Sequence, residues 1–134
     1  MANSWLLKTE PSTYSFDDLV RDRRTTWDGV SNPVALSHLR TMHTGDQAFV
    51  YHTGAEKAIV GIARIAGDPR PDPKLGDPRL VVVDLEPVRA LRKPVSLAAV
   101  KADRRFADFA LVRISRLSVM PVSPDFWKAL LAME

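Results

Sequence analysis

The chain has 134 residues, of which 46% are hydrophobic and 26% are charged, and this balance predicts one globular domain over residues 1–134. It contains no cysteine and only three histidines, which excludes disulfides and thiolate ligands and predicts neither a metal site nor a bound cofactor. The formal net charge of +3 is compatible with a polyanionic partner but does not identify one.

The sequence also limits where the protein works. No apolar run approaches the roughly 20 residues that a membrane-spanning helix needs, and the first residues lack a basic flank leading into an apolar signal region. We therefore expect no membrane partner and a cytoplasmic protein, or a nuclear one if the source is eukaryotic. We expect it to be a monomer.

The first half of the chain begins with a predicted strand over 4–9, which Glu10 and Pro11 end because proline removes a donor from the strand ladder. Ser15 is the predicted N-cap of a short helix, with Asp18 as its acidic capping partner. A second helix is predicted to start at Pro33 with Asn32 as its cap. Between these two helices lies the segment TTWDGVSNP (25–33), which is typical of a turn.

The second half of the chain predicts a hairpin of two strands, 47–52 and 58–65, joined through Gly54. Residues 67–79 contain four prolines and are predicted to form an exposed loop before a strand over 80–85. Ser96 is expected to cap a helix through about Ala102. A final strand over 117–122 then leads into a helix capped by Ser123, with Phe126, Leu130 and Met133 buried.

Five or six strands interspersed with short helices, without strict alternation, indicate an α+β fold. We expect a mixed, mostly antiparallel sheet curled into a small barrel and flanked by the helices. A doubly wound parallel sheet is the weaker alternative, because it would need a glycine-rich turn where the sequence has Glu10-Pro11-Ser12.

No phosphate-binding loop, nucleophile elbow or metal-ligand spacing occurs in the sequence. A small enzyme is one alternative, with Asp28 or His52 as general base and Thr53 or Ser31 as nucleophile. The structural alternative is that His52 is a strand-end histidine bonded to a backbone group and that Asp28 bonds the amides of its own turn.

Aromatic residues near loops favour a binding site over either alternative. Trp5, Trp27 and Tyr51 each have polar residues close by in the sequence, although core packing is an equal alternative for each tryptophan. An aromatic wall with a few polar groups is what recognition of a planar, hydrogen-bonding ligand requires, and a nucleobase is such a ligand.

Several segments follow, in order, the pattern of one known family, the EVE domain. They are WLLKTEP (5–11), YSFDDL (14–19), WDGVSN (27–32), GD (45–46), VYHT (50–53), GIA (61–63), PVSL (94–97), ALVR (110–113) and RLSVMPV (116–122). The sequence thus resembles an EVE domain over nearly its whole length. Two departures stand out, since Ser31 replaces the family's usual arginine and Pro33-Val34 replaces its common tyrosine-glutamine pair.

The resemblance implies a PUA-like pseudo-barrel of about five strands and a non-catalytic reader of modified bases in DNA or RNA. The residues expected to form the base pocket are Trp5, Thr9, Glu10, Trp27, Asp28, Gly29, Val30, Asn32, Tyr51, His52, Thr53, Leu117 and Ser118. Those expected to hold phosphate are Lys8, Arg24, Arg113 and Arg116. The competing hypotheses are the small enzyme described above and a protein-interaction adaptor that does not bind nucleic acid.

Overall fold

The computed structural model describes residues 3–74 and 76–134. In this part of the chain, strands and short helices alternate irregularly. The elements are β1 (Ser4–Thr9), α1 (Phe16–Asp22), β2 (Thr25–Trp27), α2 (Pro33–Arg40), β3 (Gln47–His52), β4 (Ala58–Pro71), β5 (Val81–Ser96), α3 (Leu97–Ala102), a 3-10 turn (Arg104–Phe106), α4 (Ala110–Arg113), β6 (Val119–Val122) and α5 (Pro124–Leu131).

The six strands form one sheet in the order β2-β5-β4-β3-β1-β6. Among the strands of the described ranges, only β1 and β3 pair in parallel, and the other four neighbouring pairs are antiparallel. The predicted α+β class and the mixed, mostly antiparallel sheet with short helices are therefore confirmed. The expected closure into a barrel is not seen, because β2 and β6 stand at opposite ends of the strand order.

The longest strands, β4 and β5, continue well past their predicted ends. β4 extends to Pro71, so the prediction of a loop over 67–79 is wrong for its first five residues. The pairing with β5 shifts register between Ile65 and Gly67 and again between Gly67 and Arg70. Such bulges leave some backbone groups out of the ladder, which is how a strand accommodates proline.

Side-chain caps set the starts of the helices where the sequence predicts them. Ser15 and Asp18 form a reciprocal capping box on α1, and Asn32 caps α2 through the amides of Val34 and Ala35. Ser96 caps α3 and Ser123 caps α5 in the same way. These contacts satisfy amides that have no partner within a helix, so they locate helix starts independently of tertiary packing.

Buried side chains from the sheet and helices form one hydrophobic cluster. α1 contributes Phe16, whose ring lies over Gly61 of β4 so closely that a Cβ at Gly61 would come within 2.4 Å of it. Of the three residues that the last helix was predicted to bury, Leu130 is fully buried and Phe126 is half-buried against the cluster. Met133 is also half-buried, but it lies past the end of α5 at Leu131. No helix in the described ranges is long and apolar enough to cross a bilayer.

Trp5 is part of the structural frame. Its indole Nε1 donates to Asp46 Oδ2 at 3.0 Å, and the same carboxylate accepts from the backbone amides of Asn3 and His43. Asp46 is only 2% exposed, so these three donors take the place of water around its charge. The network joins the start of β1 to the turn before β3.

We expect Asp46→Ala to lower the free energy of unfolding by about 2–4 kcal/mol, because the buried Trp5 indole and two amides lose their acceptor. Urea denaturation of this variant beside Asp17→Ala, which changes an exposed carboxylate on α1, measures the effect. A loss below about 0.5 kcal/mol, typical of surface positions, would contradict the role of Asp46.

Candidate functional site

A cavity of about 340 Å³ lies where the end of β1, the β2–α2 loop and the segment before β6 meet. We call it the Trp27 cavity. Its lining residues are Lys8, Thr9, Trp27, Asp28, Gly29, Val30, Ser31, Asn32, Arg116 and Ser118. The segment WDGVSN that the sequence singled out therefore forms one continuous wall.

Local structure explains the shape of this wall. β2 pairs with β5, which holds Trp27 opposite Val83, and the indole is only 8% exposed with its ring edge-on to Tyr14. Gly29 follows at φ +77°, a conformation that favours glycine and turns the chain away from the strand. Asn32 then starts α2. Trp27 is thus both a core residue and a cavity wall, and its role in binding a base stays a prediction.

The polar groups of the Trp27 cavity have distinct hydrogen-bonding capacities. Asn32 uses Oδ1 to cap α2, so its Nδ2 group is left as a donor. The exposed Asp28 carboxylate can only accept at neutral pH. Thr9 donates its hydroxyl to the Tyr14 carbonyl at 2.7 Å and keeps its oxygen lone pairs for another donor. The cavity therefore offers acceptors and donors on neighbouring residues.

Two cations stand at the Trp27 cavity, Lys8 and Arg116. Lys8 Nζ donates to the Ser115 carbonyl at 2.9 Å and lies 5.6 Å from the centre of the Tyr51 ring. Burial lowers the pKa of Lys8 below its usual value. Arg116 is exposed, and the described ranges give it no acidic partner.

The other two predicted phosphate residues are paired elsewhere. Arg24 bonds Asp84 at 3.1 Å and lies 3.5 Å from Glu86, while Arg113 bonds Asp108 at 3.0 Å. Neither lines the Trp27 cavity, although Arg24 lines the larger cavity that adjoins it. Sequence reasoning placed them near the pocket because it could not show which basic side chains already had carboxylate partners.

Six of the residues predicted for the base pocket lie outside the Trp27 cavity. Trp5 is bonded to Asp46, and Glu10 accepts from the hydroxyl of Ser12. Leu117 is 4% exposed within the core. Tyr51 and Thr53 line a different cavity on the other side of Lys8, and the sixth residue, His52, has a structural role.

His52 is 6% exposed and both of its ring nitrogens are occupied. Nε2 accepts from the backbone amide of Phe16 at 3.0 Å, so Nδ1 carries the proton and donates to Glu56 at 3.0 Å. The histidine therefore links the end of β3 to the start of α1. This is the arrangement that the structural alternative predicts.

A larger cavity of about 610 Å³ adjoins the first and shares Thr9, Trp27 and Asp28 with it. It adds Tyr14, Arg70 and Lys74, which sequence reasoning missed because Arg70 and Lys74 fall in the supposed loop.

Burial raises the pKa of Asp84 beneath this surface, but hydrogen bonds from Thr26, Arg70 and Arg24 outweigh it and hold the pKa below its usual value. No group of three His, Asp or Glu side chains that could hold a metal ion occurs in the described ranges.

We expect Trp27→Ala to lower the free energy of unfolding by about 3–5 kcal/mol, as removal of a buried tryptophan does. Trp27→Phe keeps an aromatic ring and should cost less. Urea denaturation of both variants checks this expectation. A Trp27→Ala protein within about 1 kcal/mol of the parent would show that the indole contributes little to the core.

Comparison with known proteins supports a common origin for this fold. The EVE domain model matches residues 3–133. Thymocyte nuclear protein 1 of Rattus norvegicus is 30% identical over 168 residues, which covers 100% of this chain and 74% of the relative. An NMR structure of a Rhodopseudomonas palustris protein is 44% identical with a TM-score of 0.93, covering 98% of this chain and 92% of that one.

A further structural relative has a bound partner. The crystal structure of the human THYN1 protein in complex with 5-methylcytosine-containing DNA is 27% identical, with a TM-score of 0.88, and covers 98% of this chain and 96% of that chain. The family match spans nearly the whole sequence and agrees with the architecture of the sheet and helices. The chain therefore belongs to the EVE domain family.

Proposed function

We propose that this protein is a non-catalytic reader that binds a modified nucleobase of DNA or RNA in the Trp27 cavity. The observation that carries the proposal is the combination, in one cavity, of an indole wall, the Asp28 acceptor, the Asn32 donor and two cations. The human relative solved with 5-methylcytosine-containing DNA supports the same class of partner.

The hydrogen-bonding groups favour a base that carries an exocyclic amine. A carboxylate accepts the N4 amine of cytosine or the N6 amine of adenine but repels the O4 carbonyl of thymine or uracil. The Asn32 Nδ2 group can donate to an acceptor on the same base edge. Cytosine and its modified forms therefore suit the cavity better than thymine.

A methyl modification would act through apolar contact. Val30 lines the same cavity as the Trp27 indole and packs partly against the core. Burial of one added methyl group is worth about 0.8 kcal/mol, or roughly fourfold in affinity. Stacking adds about 1–3 kcal/mol per base, which offsets the few kcal/mol needed to extrude a base from a duplex.

Lys8 and Arg116 would supply affinity for the phosphate backbone without sequence preference. Both side chains line the cavity that would hold the base. A strand that places one base against Trp27 would therefore bring its phosphates within reach of these cations.

The arrangement of His52 argues against this residue as the general base of the enzyme alternative, which leaves Asp28 as the candidate base to test. With Nε2 bound to the Phe16 amide, His52 lacks a free lone pair to act as a base, and it does not line the Trp27 cavity. Long incubation of the protein with a 5-methylcytosine oligonucleotide should leave that oligonucleotide unchanged by mass spectrometry. A new product would support the enzyme, and no binding to any oligonucleotide would support the adaptor.

We expect Asp28→Asn to narrow the preference for 5-methylcytosine over thymine by about 1–3 kcal/mol, because a neutral amide no longer discriminates an amine from a carbonyl. The preference for 5-methylcytosine over cytosine should be unchanged, since both bases carry the same amine. Dissociation constants for three oligonucleotides that differ only in this base measure both ratios. Asp17→Asn on α1 is the control, and equal effects of the two substitutions would contradict the base-reading role of Asp28.

Arg116→Gln should weaken the binding of methylated and unmethylated oligonucleotides by similar factors, since a phosphate contact does not distinguish one base from another. For single strands it should also reduce the magnitude of the log–log salt slope by about 0.7. Arg113→Gln removes the same charge from a residue already paired with Asp108 and serves as the matched control. An unchanged slope for Arg116→Gln would remove Arg116 from the proposed interface.

A further inference from the structure

Three lysines line a second cavity, of about 260 Å³, which shares Lys8 with the Trp27 cavity. Lys57 comes from the β3–β4 turn and Lys101 from the last turn of α3. We call this the trilysine cavity, with Lys8, Lys57 and Lys101 as its defining residues. Topology brings them together, because they are separated by 49 and 44 positions in the sequence.

The charge of the trilysine cavity is unbalanced. Its lining contains no aspartate or glutamate from the described ranges, while the hydroxyl residues Thr53 and Ser115 provide neutral polar groups. Leu97, Leu111 and Val112 supply apolar surface beside Lys8, which is half-buried, while Lys57 and Lys101 are exposed. The Glu10 carboxylate lies next to Gly54 at the margin, and it accepts from the hydroxyl of Ser12.

Lys8 connects the two cavities. Its Nζ is held by the Ser115 carbonyl and by its position over the Tyr51 ring, which leaves two N–H donors for an anion. Because burial lowers the pKa of Lys8, an anion beside it would restore the preference for the charged form. An anion bound in the trilysine cavity would therefore lie next to a ligand in the Trp27 cavity.

Lys57 adopts an uncommon backbone conformation in the β3–β4 turn. Lys57 has φ +45°, in the left-handed region where glycine is the usual residue. Arg23 is the other non-glycine residue with positive φ in the described ranges, and it is explained as the C-cap of α1. Lys57 ends no helix, yet its carbonyl accepts from the Leu97 amide at 2.8 Å, which holds the strained turn against α3. Such strain commonly marks a functional position.

We infer that the trilysine cavity is a phosphate subsite, which holds a phosphate attached to the nucleotide whose base occupies the Trp27 cavity. The inference deepens the proposed function and rests on it for the identity of the ligand. It assigns Lys57 and Lys101 a binding role that the family segments in the sequence do not include. The phosphate could belong to the neighbouring linkage of a strand or to the terminal group of a free nucleotide, and the chemistry of recognition is the same.

The decisive variant is Lys57→Gly, because glycine adopts φ +45° without strain while the charge is removed. We expect it to bind a single-stranded trinucleotide with central 5-methylcytosine about tenfold more weakly, as loss of a charged hydrogen bond does. Its urea midpoint should be unchanged or higher. Lys101→Gln should weaken binding similarly, whereas Lys128→Gln on the exposed face of α5 should not.

A second probe isolates the phosphate. The same trinucleotide with uncharged methylphosphonate linkages should bind the parent protein and Lys57→Gly equally. If Lys57→Gly still binds the neutral trinucleotide more weakly than the parent does, the inference is overturned. It is also overturned if Lys128→Gln loses as much affinity as Lys57→Gly. Neither result would contradict the proposed base reader. Methylated deoxycytidine and its 5′-monophosphate distinguish the two possible origins of the phosphate. If Lys57→Gly weakens binding of the monophosphate, the phosphate belongs to the bound nucleotide itself. If it weakens binding of the trinucleotide alone, the phosphate belongs to the neighbouring linkage.

The outcome is also distinct if the proposed function fails. Should no nucleotide or oligonucleotide bind, inorganic phosphate titrated at constant ionic strength becomes the probe, with the amide NMR signals of Lys57 and Lys101 as readout. A saturable shift in the parent protein that Lys101→Gln abolishes would preserve the anion site without the base reader. The absence of such a shift would overturn both.

Discussion

The two-sided pairing of β1 is the constraint on which the rest of the structure depends. β1 lies between the parallel strand β3 and the antiparallel strand β6. Beyond the regular ladder, the Lys8 amide donates to the Ser118 carbonyl and the Thr53 amide donates to the Thr9 carbonyl. The end of β1 is therefore fixed from both sides, and its last two residues, Lys8 and Thr9, line the cavities.

This position explains why the candidate sites are neighbours. Lys8 reaches the Trp27 cavity and the trilysine cavity, while Thr9 reaches the Trp27 cavity and the larger one beside it. A side chain at a strand end has support on both flanks and free space beyond it. A ligand that spans a base and its phosphates would fit this arrangement, since one strand end serves adjoining subsites.

The polar residues that connect elements of the fold differ in their hydrogen bonding from the polar residues that face the cavities. Asp46 is buried and accepts from the Asn3 amide, the Trp5 indole and the His43 amide. His52 is buried and bonds the Phe16 amide and the Glu56 carboxylate. Asp28 and Arg116 are exposed, and the described residues offer them no side-chain partner. Buried polar groups need internal partners because water cannot reach them, whereas groups that bind a ligand must keep hydrogen-bonding capacity free.

The predicted single domain, monomeric state and cytoplasmic or nuclear location stay predictions.

Local patterns in the sequence determined the helix starts at Ser15, Asn32, Ser96 and Ser123 and the bounds of β1 and β3, because caps and alternation are short-range chemistry. The sequence also singled out the segment WDGVSN, which lines the Trp27 cavity. Tertiary structure alone decided the rest. The bulges that carry β4 and β5 through their prolines depend on a partner strand. The pairing of Arg24 with Asp84, the burial of Trp5 against Asp46, and the meeting of Lys57 and Lys101 beside Lys8 all join residues over 40 positions apart, and no local pattern encodes such a distance.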